Sequence, residues 1–156
     1  MPELTWPTVP VKTSATEQLD IMFKYATPYA AQKSMMWRIV AALENKQNCL
    51  VESPTGSGKT MSYLCSAVAW LQKHDKRSQT ERIKLGNAQA DLEMELMNGK
   101  LTAKEVEEKN DKLIEDFQSV TGRSRIWIGT RTHQQIGQIV KELKESPYNG
   151  YYRVFI

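Results

Sequence analysis

The chain has 156 residues, of which 40% are hydrophobic and 25% charged, a composition typical of one ordinary globular domain. Eight glycines and six prolines exclude a collagen-like or low-complexity chain, and two cysteines exclude a disulfide scaffold. No apolar run approaches the roughly 18 residues of a membrane span, and no basic-then-apolar signal pattern opens the chain. The sequence therefore predicts neither membrane insertion nor secretion.

The net charge of +3 is unevenly distributed along the chain. Residues 72–124 hold 10 basic and 11 acidic residues, whereas the other 103 residues hold 11 basic and 7 acidic ones. Such a change in charge density is typical of a solvated insertion within a more apolar fold. The small net charge does not by itself indicate nucleic-acid binding.

The first two predicted elements are an N-terminal arm and a helix. Residues 1–13 carry three prolines and no clear hydrophobic period, so we expect an extended arm packed through Trp6, and we assign residues 1–24 to it. Apolar residues recur at three- and four-residue spacing in 30–45, which predicts an amphipathic helix. Its inward side chains are Met35, Met36, Ile39, Val40 and Leu43.

A strand, a turn and a second helix follow. The apolar run within 48–52 predicts a buried strand. The next six residues, Ser-Pro-Thr-Gly-Ser-Gly, have the composition of a turn, and the weakly charged segment 59–72 predicts a well-buried helix. Cys49 and Cys65 both have apolar neighbours, so we expect two buried, reduced thiols.

The charged segment, bounded at 73–124, predicts a helical hairpin. Asn98-Gly99 separates its two helices, and Thr102 and Glu105 have the spacing of a capping box. The apolar side chains expected on one face of the second helix are Val106, Leu113, Ile114 and Phe117. The hairpin is either solvated and without chemistry or a coiled coil for a protein partner, and its near-neutral charge argues against DNA contact.

The last part of the chain predicts a strand, a helix, a turn and another strand. The strands are expected at 125–129 and 152–156, the helix at 132–145 and the turn at 146–150. Alternating strands and helices are typical of a parallel α/β sheet.

Residues 53–60 carry the strongest chemical signal in the sequence. They match the Walker A pattern of a phosphate-binding loop (P-loop), except that Ser53 replaces the first glycine. Gly56 and Gly58 allow backbone N–H groups to face a phosphate. Lys59 supplies a cation for the β- and γ-phosphates, and Thr60 supplies a hydroxyl for Mg²⁺. The alternative is a glycine-rich turn that caps an ordinary helix.

Three motifs in a fixed order carry a family resemblance. Residues 28–32 read Pro-Tyr-Ala-Ala-Gln, 52–60 contain the P-loop, and 129–136 read Gly-Thr-Arg-Thr-His-Gln-Gln-Ile. Together they resemble the superfamily-2 iron–sulfur DNA helicases, the group that contains the xeroderma pigmentosum group D protein. Short segments within 64–70, 128–133 and 141–143 are most similar to the branch of the Fanconi anaemia group J helicase. The resemblance covers 25–72 and 125–150, but neither the arm nor the insertion.

This resemblance implies a RecA-like P-loop NTPase fold with a parallel sheet, truncated and carrying the charged hairpin, over residues 25–156. It implies that Gln32 is the Q-motif residue that reads adenine; a surface polar side chain is the alternative. Tyr29 either covers the base or lies in the core. The residues implied to bind ATP with Mg²⁺ are Gln32, Ser53, Pro54, Thr55, Gly56, Ser57, Gly58, Lys59 and Thr60.

The motif after the second predicted strand is similar to motif Ia, which grips the backbone of single-stranded DNA. The residues implied are Arg131, Thr132 and His133, with Gln135 as a weaker candidate. Thr132 can cap the following helix, whose first N–H groups bind phosphate. The alternative is a capped helix with a core histidine.

By resemblance, the parent protein is an ATP-dependent helicase that moves 5′ to 3′ on single-stranded DNA and serves DNA repair in the nucleus. The family's Asp-Glu-Ala-His box, its four cluster-binding cysteines and its second motor domain are not in this sequence. We therefore expect an N-terminal piece or an incomplete gene model, inactive alone, with the iron–sulfur cluster in the missing part. The rival interpretations are a stand-alone P-loop nucleotide-binding module and a non-enzymatic interaction protein built around the hairpin.

Overall fold

The computed structural model describes residues 5–14, 17–118 and 124–151. In chain order, these residues form strands β1 (Thr8–Lys12) and β2 (Gln18–Met22) and helices α1 (Ala30–Glu44), α2 (Lys59–Met97), α3 (Ala103–Gln118) and α4 (His133–Glu145). The chain divides into two compact units. We call Met1–Leu71 with Ile126–Ile156 the P-loop unit and Gln72–Arg125 the hairpin unit.

The N-terminal arm is a β-hairpin rather than an extended segment. β1 and β2 pair antiparallel, with Val9 opposite Ile21 and Val11 opposite Leu19. These four residues alternate with exposed ones, because successive side chains of a strand point to opposite faces. The prediction of an extended arm was wrong: Pro10 obscures the alternation of β1, and β2, which has no proline, is only five residues long.

The core of the P-loop unit lies between this hairpin, α1 and the first part of α2. Helix α1 begins and ends within one residue of its prediction, and Met35, Met36 and Val40 are buried on its inner face. The core cluster comprises Val9, Val11, Leu19, Ile21, Phe23, Met36, Val40, Met61, Cys65, Val68, Ala69 and Tyr148. Burial raises the pKa of the Cys65 thiol to about 12, so this thiol stays protonated at neutral pH.

The strands predicted at 48–52 and 125–129 are wrong. Both segments lack regular secondary structure, and Leu50 and Trp127 are 98% and 86% exposed. A central strand forms only where neighbouring strands satisfy its backbone groups, and no described segment pairs with either one. Cys49 is likewise exposed, so its predicted burial was wrong. The only sheet among the described residues is therefore β1–β2, and the strand predicted at 152–156 lies outside those residues.

Helix α2 continues past the end predicted for it at residue 72. No proline interrupts Lys59–Met97, and residues 72–97 belong to the hairpin unit. The helix ends where predicted for the first hairpin helix, before Gly99, whose φ is +69°. A left-handed residue at this position is typical of a helix C-terminus.

Helix α3 begins with the predicted capping box. The Thr102 N–H donates to Glu105 Oε2 at 2.8 Å, and the Glu105 N–H donates to Thr102 Oγ1 at 3.4 Å. The Thr102 N–H and the Thr102 hydroxyl both donate to the Glu105 carboxylate, and these two bonds lower the pKa of that carboxyl. Ile114 is 36% exposed, so its predicted place on the same helix face as Val106 was wrong. Eight residues of an α-helix place the two side chains about 80° apart around the helix axis.

The two hairpin helices meet along one seam. Half-buried residues on it recur at three- and four-residue spacing: Leu85, Ala88, Leu92, Val106, Asn110, Leu113 and Phe117. Gln89 Nε2 donates to Asn110 Oδ1 at 2.7 Å across the seam.

None of the helices in the described ranges is both long and apolar enough to cross a membrane.

Candidate functional site

The P-loop has the backbone shape that its glycines allow. Gly56 and Gly58 adopt φ values of +81° and +73°, a region that other residues rarely occupy. The Ser57 N–H donates to the Pro54 carbonyl at 3.4 Å, and the Ser53 and Ser57 hydroxyls lie 2.5 Å apart. These contacts close the loop on itself directly before α2.

Lys59 and Thr60 are the first two residues of α2 and directly follow the loop. The Lys59 ammonium donates to the Ser53 carbonyl at 2.5 Å and to the Pro54 carbonyl at 2.9 Å. This holds a positive charge against the loop, at the positive end of the α2 dipole. The glycine backbone, an ammonium and a hydroxyl are together the groups that fit a nucleoside triphosphate with Mg²⁺. Among the described residues, no group of three or more His, Cys, Asp or Glu side chains could hold a metal ion by itself.

Gln32 lies against this loop and is only 3% exposed, so it is not a surface polar residue. Its Oε1 accepts a hydrogen bond of 2.9 Å from the Tyr29 N–H at the start of α1. Its Nε2 faces Gly58, where an added Cβ would collide with it. The alternative of a core Tyr29 is wrong, because that ring is 73% exposed. The structure thus brings the predicted adenine-reading residue and the P-loop into contact.

The motif Ia residues form a capped helix start. Thr132 caps α4 and accepts from the Gln135 N–H at 3.4 Å, while the Arg131 N–H donates to Gln135 Oε1 at 3.2 Å. Gln135 therefore contributes to the cap through its own side chain. Arg131 and His133 are exposed, so the alternative of a core histidine is wrong.

A cleft of about 360 Å³ joins the first turn of α2 to the motif Ia turn. Both predicted sites contribute to it, Thr60 from the P-loop and Arg131 and Gln135 from motif Ia. The remaining lining residues are Tyr63, Gly129, Thr130, Gln138 and Ile139. The two motifs are far apart in the sequence, whereas the fold places them on one surface.

Tyr63 lines the cleft and was not predicted from the sequence as a site residue. Burial, and secondarily the charge of Glu142, raise the pKa of its phenol, while a hydrogen bond with Thr60 acts in the opposite direction. Tyr63 thus connects the hydroxyl predicted to bind Mg²⁺ with the charge on α4. The three-residue spacing from Thr60, which puts both on one helix face, is the signal that could have identified it.

Residues 30–145 match the family model of the DEAD/DEAH box helicase, so the chain belongs to that family and has its P-loop NTPase type of fold. The predicted helicase family is confirmed. The similarity to the group J branch stays a prediction.

The curated relatives include three insect proteins named regulator of telomere elongation helicase 1 homolog. The Anopheles gambiae protein is 36% identical over 121 residues, which cover 78% of this chain and 12% of the relative. The Culex quinquefasciatus protein is 33% identical over 136 residues, covering 83% and 14%. The Drosophila ananassae protein is 33% identical over 129 residues, covering 79% and 12%. The chain thus corresponds to a small part of these relatives, and no solved structure matches it.

Proposed function

We propose that this chain is the ATP-binding part of the first motor domain of an ATP-dependent DNA helicase. The observation that carries the proposal is the P-loop itself, with two left-handed glycines, the Lys59 ammonium against it and Gln32 buried beside it. Family membership over residues 30–145 supports the same conclusion.

In this proposal, the loop N–H groups and Lys59 hold the β- and γ-phosphates, and Thr60 contributes a hydroxyl to Mg²⁺. The Gln32 amide offers one donor and one acceptor, which suits the edge of adenine. Its Oε1 keeps a second lone pair beyond the bond from Tyr29. These groups bind and orient the nucleotide, whose phosphates and metal supply the chemistry of phosphoryl transfer.

Hydrolysis needs a carboxylate that holds Mg²⁺ from a strand end. Every aspartate after the P-loop, namely Asp75, Asp91, Asp111 and Asp116, belongs to the hairpin unit. We therefore propose that this chain binds ATP without turning it over, and that the rest of the motor, with an iron–sulfur cluster, acts in the parent protein.

Single-stranded DNA is the proposed polymer, with contact at the motif Ia turn. Arg131 is exposed there, and the first N–H groups of α4 suit a phosphate. Movement 5′ to 3′, DNA repair and a nuclear location are proposed for the parent protein from the family resemblance. The relatives' names add regulation of telomere elongation as a proposed role.

Nucleotide binding is tested by titrating ATP and GTP, each with Mg²⁺, into the intact chain and three variants. Lys59→Ala should weaken both nucleotides by more than tenfold, because a charge-assisted contact is worth about 1.5–3 kcal/mol. Gln32→Ala should weaken ATP more than GTP, because the contact with the base is lost for ATP alone, whereas any change in the loop affects both nucleotides. Lys12→Ala, which removes an exposed lysine of β1, is the matched control and should bind both normally.

Two results would reject these assignments. Equal ATP affinity in a folded Lys59→Ala variant would exclude the P-loop as the binding site. An equal loss of ATP and GTP affinity in Gln32→Ala would make Gln32 a structural residue that shapes the loop.

The DNA proposal predicts weak binding with a shallow salt dependence. One such turn neutralises one or two phosphates, so log K should fall against log salt with a slope of about −0.7 to −1.4 for single strands. Arg131→Ala should flatten this slope by about 0.7 whatever the base sequence, because backbone contacts carry no sequence information. Fluorescence anisotropy of a labelled oligonucleotide at several salt concentrations measures it, with exposed Arg38→Ala of α1 as the control. An unchanged slope in Arg131→Ala would reject the motif Ia contact.

A further inference from the structure

The hairpin unit has a second apolar stripe that its own two helices do not cover. Ile83 and Met94 are 59% and 63% exposed, and Met97 is exposed further still. The stripe follows the spacing of a heptad repeat, four then three residues, through Ile83, Asn87, Ala90, Met94 and Met97. All five residues are exposed, and helical geometry places them opposite the seam that α3 covers. The same helix therefore has two seams, and α3 fills one.

The charges beside this stripe are divided along the helix. Residues 73–84 hold five basic and two acidic residues, whereas 85–97 hold three acidic residues and no basic one. Lys84 flanks the stripe in the first half, and Asp91 and Glu93 flank it in the second. The helix surface is thus positive at one end and negative at the other.

We propose that the outer stripe of α2 is a self-association surface that pairs with the same stripe of a second copy in antiparallel orientation. A two-fold axis near the middle of the stripe sets Ile83 of one copy against Met94 of the other, and Asn87 against Ala90. Lys84 then lies beside Asp91 of the other copy, twice in the dimer. Isologous pairing of this kind is the commonest route to a homodimer.

Charge complementarity selects this occupant and this orientation. In a parallel pair, Lys84 and Asp91 would face Gln79 and Gly86 of the other copy, so neither would gain an ion pair. An antiparallel pair instead sets Lys84 beside Asp91 twice, without any other partner. The stripe offers few large apolar side chains per copy, so we expect a weak dimer with a micromolar dissociation constant.

The pairing is tested by sedimentation velocity of the intact chain and of two variants that exchange the charges. The concentration runs from about 10 µM to 1 mM, a range suited to weak interfaces. Lys84→Glu and Asp91→Lys should each weaken association at least tenfold alone, because each homodimer gains two like-charge contacts. An equimolar mixture of the two variants should dimerise again, because both contacts are then opposite in charge. Effects within one chain, such as loss of the 2.8 Å Lys84–Glu81 ion pair, are the same in a single variant and in the mixture. They therefore cannot produce the recovery of dimerisation.

Met94→Lys tests the apolar part of the surface independently and should abolish dimerisation. Ile114→Lys, at a partly exposed apolar position of α3 outside the stripe, is its control and should leave dimerisation intact. Circular dichroism establishes that each variant is folded. A chain that stays monomeric up to 1 mM (the upper end of the range expected for a weak interface), or a mixture that fails to recover, would overturn the proposal. The proposal would also be overturned if two copies did not pair at the stripe and a partner of different chemistry bound there instead.

Discussion

At the residue scale, the contact between Gln32 and Gly58 joins two motifs that lie 26 positions apart in the sequence. The motifs predict a role for each residue, but the contact between the two depends on how α1 packs beside the loop. Because the Gln32 Oε1 is held by the Tyr29 N–H, its Nε2 cannot move away freely. Gly58 is therefore required both for its left-handed φ and for the space that Gln32 fills.

Alanine substitution at the two loop glycines separates these requirements. Gly56 and Gly58 have similar positive φ values, but an added Cβ at Gly56 meets nothing within 4 Å. Gly56→Ala should cost about 1–2 kcal/mol from backbone strain. Gly58→Ala should cost about 1 kcal/mol more, because it also breaks the Gln32 hydrogen bond to α1. Urea unfolding of both variants measures the difference in the free energy of unfolding.

A double-mutant cycle supplies the control for this prediction. In a Gln32→Ala background, Gly58→Ala should cost no more than Gly56→Ala does in the wild-type chain, because the collision is gone. Equal destabilisation by Gly56→Ala and Gly58→Ala in the wild type would show that Gln32 does not press on the loop.

At the element scale, the turn predicted at 146–150 is present, and it is also a buried anchor. Tyr148 is buried in the core, and its hydroxyl accepts a 2.9 Å hydrogen bond from the Met22 N–H of β2. The Lys24 ammonium lies 2.8 Å from Glu145 Oε2, which lowers the pKa of that carboxyl. The motif Ia helix is thereby tied to the N-terminal hairpin, so each element positions the other. The sequence suggested only a turn, because Ser-Pro-Tyr-Asn-Gly has turn composition whether or not its tyrosine is buried.

Removal of the Tyr148 hydroxyl should weaken this tie. Tyr148→Phe leaves the Met22 N–H without its acceptor and should lower the free energy of unfolding by about 1–2 kcal/mol. Tyr151→Phe removes an exposed tyrosine hydroxyl three residues later and should change stability by much less. Thermal unfolding of the two variants tests the prediction. Equal stability would show that α4 does not depend on this bond.

At the scale of the whole molecule, helices were predicted well and strands were not. The period of Met35, Met36 and Val40 identifies α1, because a helix satisfies its backbone within itself. A strand depends on its neighbours, so the apolar runs around Leu50 and Trp127 look buried in sequence and are exposed in the structure. The continuity of α2 was missed because the change in charge at residue 72 was interpreted as a boundary between elements.

The part of the candidate site that could be predicted from the sequence is the part whose residues are adjacent in the chain. The P-loop pattern alone identified the residues from Ser53 to Thr60, since adjacent residues make up the loop. Their neighbours across the fold, Gln32 and the cleft residue Tyr63, depend on how the helices pack. Family resemblance predicted Gln32 as a site residue, whereas no pattern used above predicted Tyr63.

The most direct test of the central claim, that this P-loop binds ATP, is a backbone amide NMR titration of the 17.9 kDa chain with ATP and Mg²⁺. We expect saturable shifts at the amides of Gly56, Gly58, Lys59 and Thr60, with smaller shifts at Gln32 and none in α3. Amides of the loop that do not move at saturating ATP, or shifts centred on the hairpin unit, would contradict the claim.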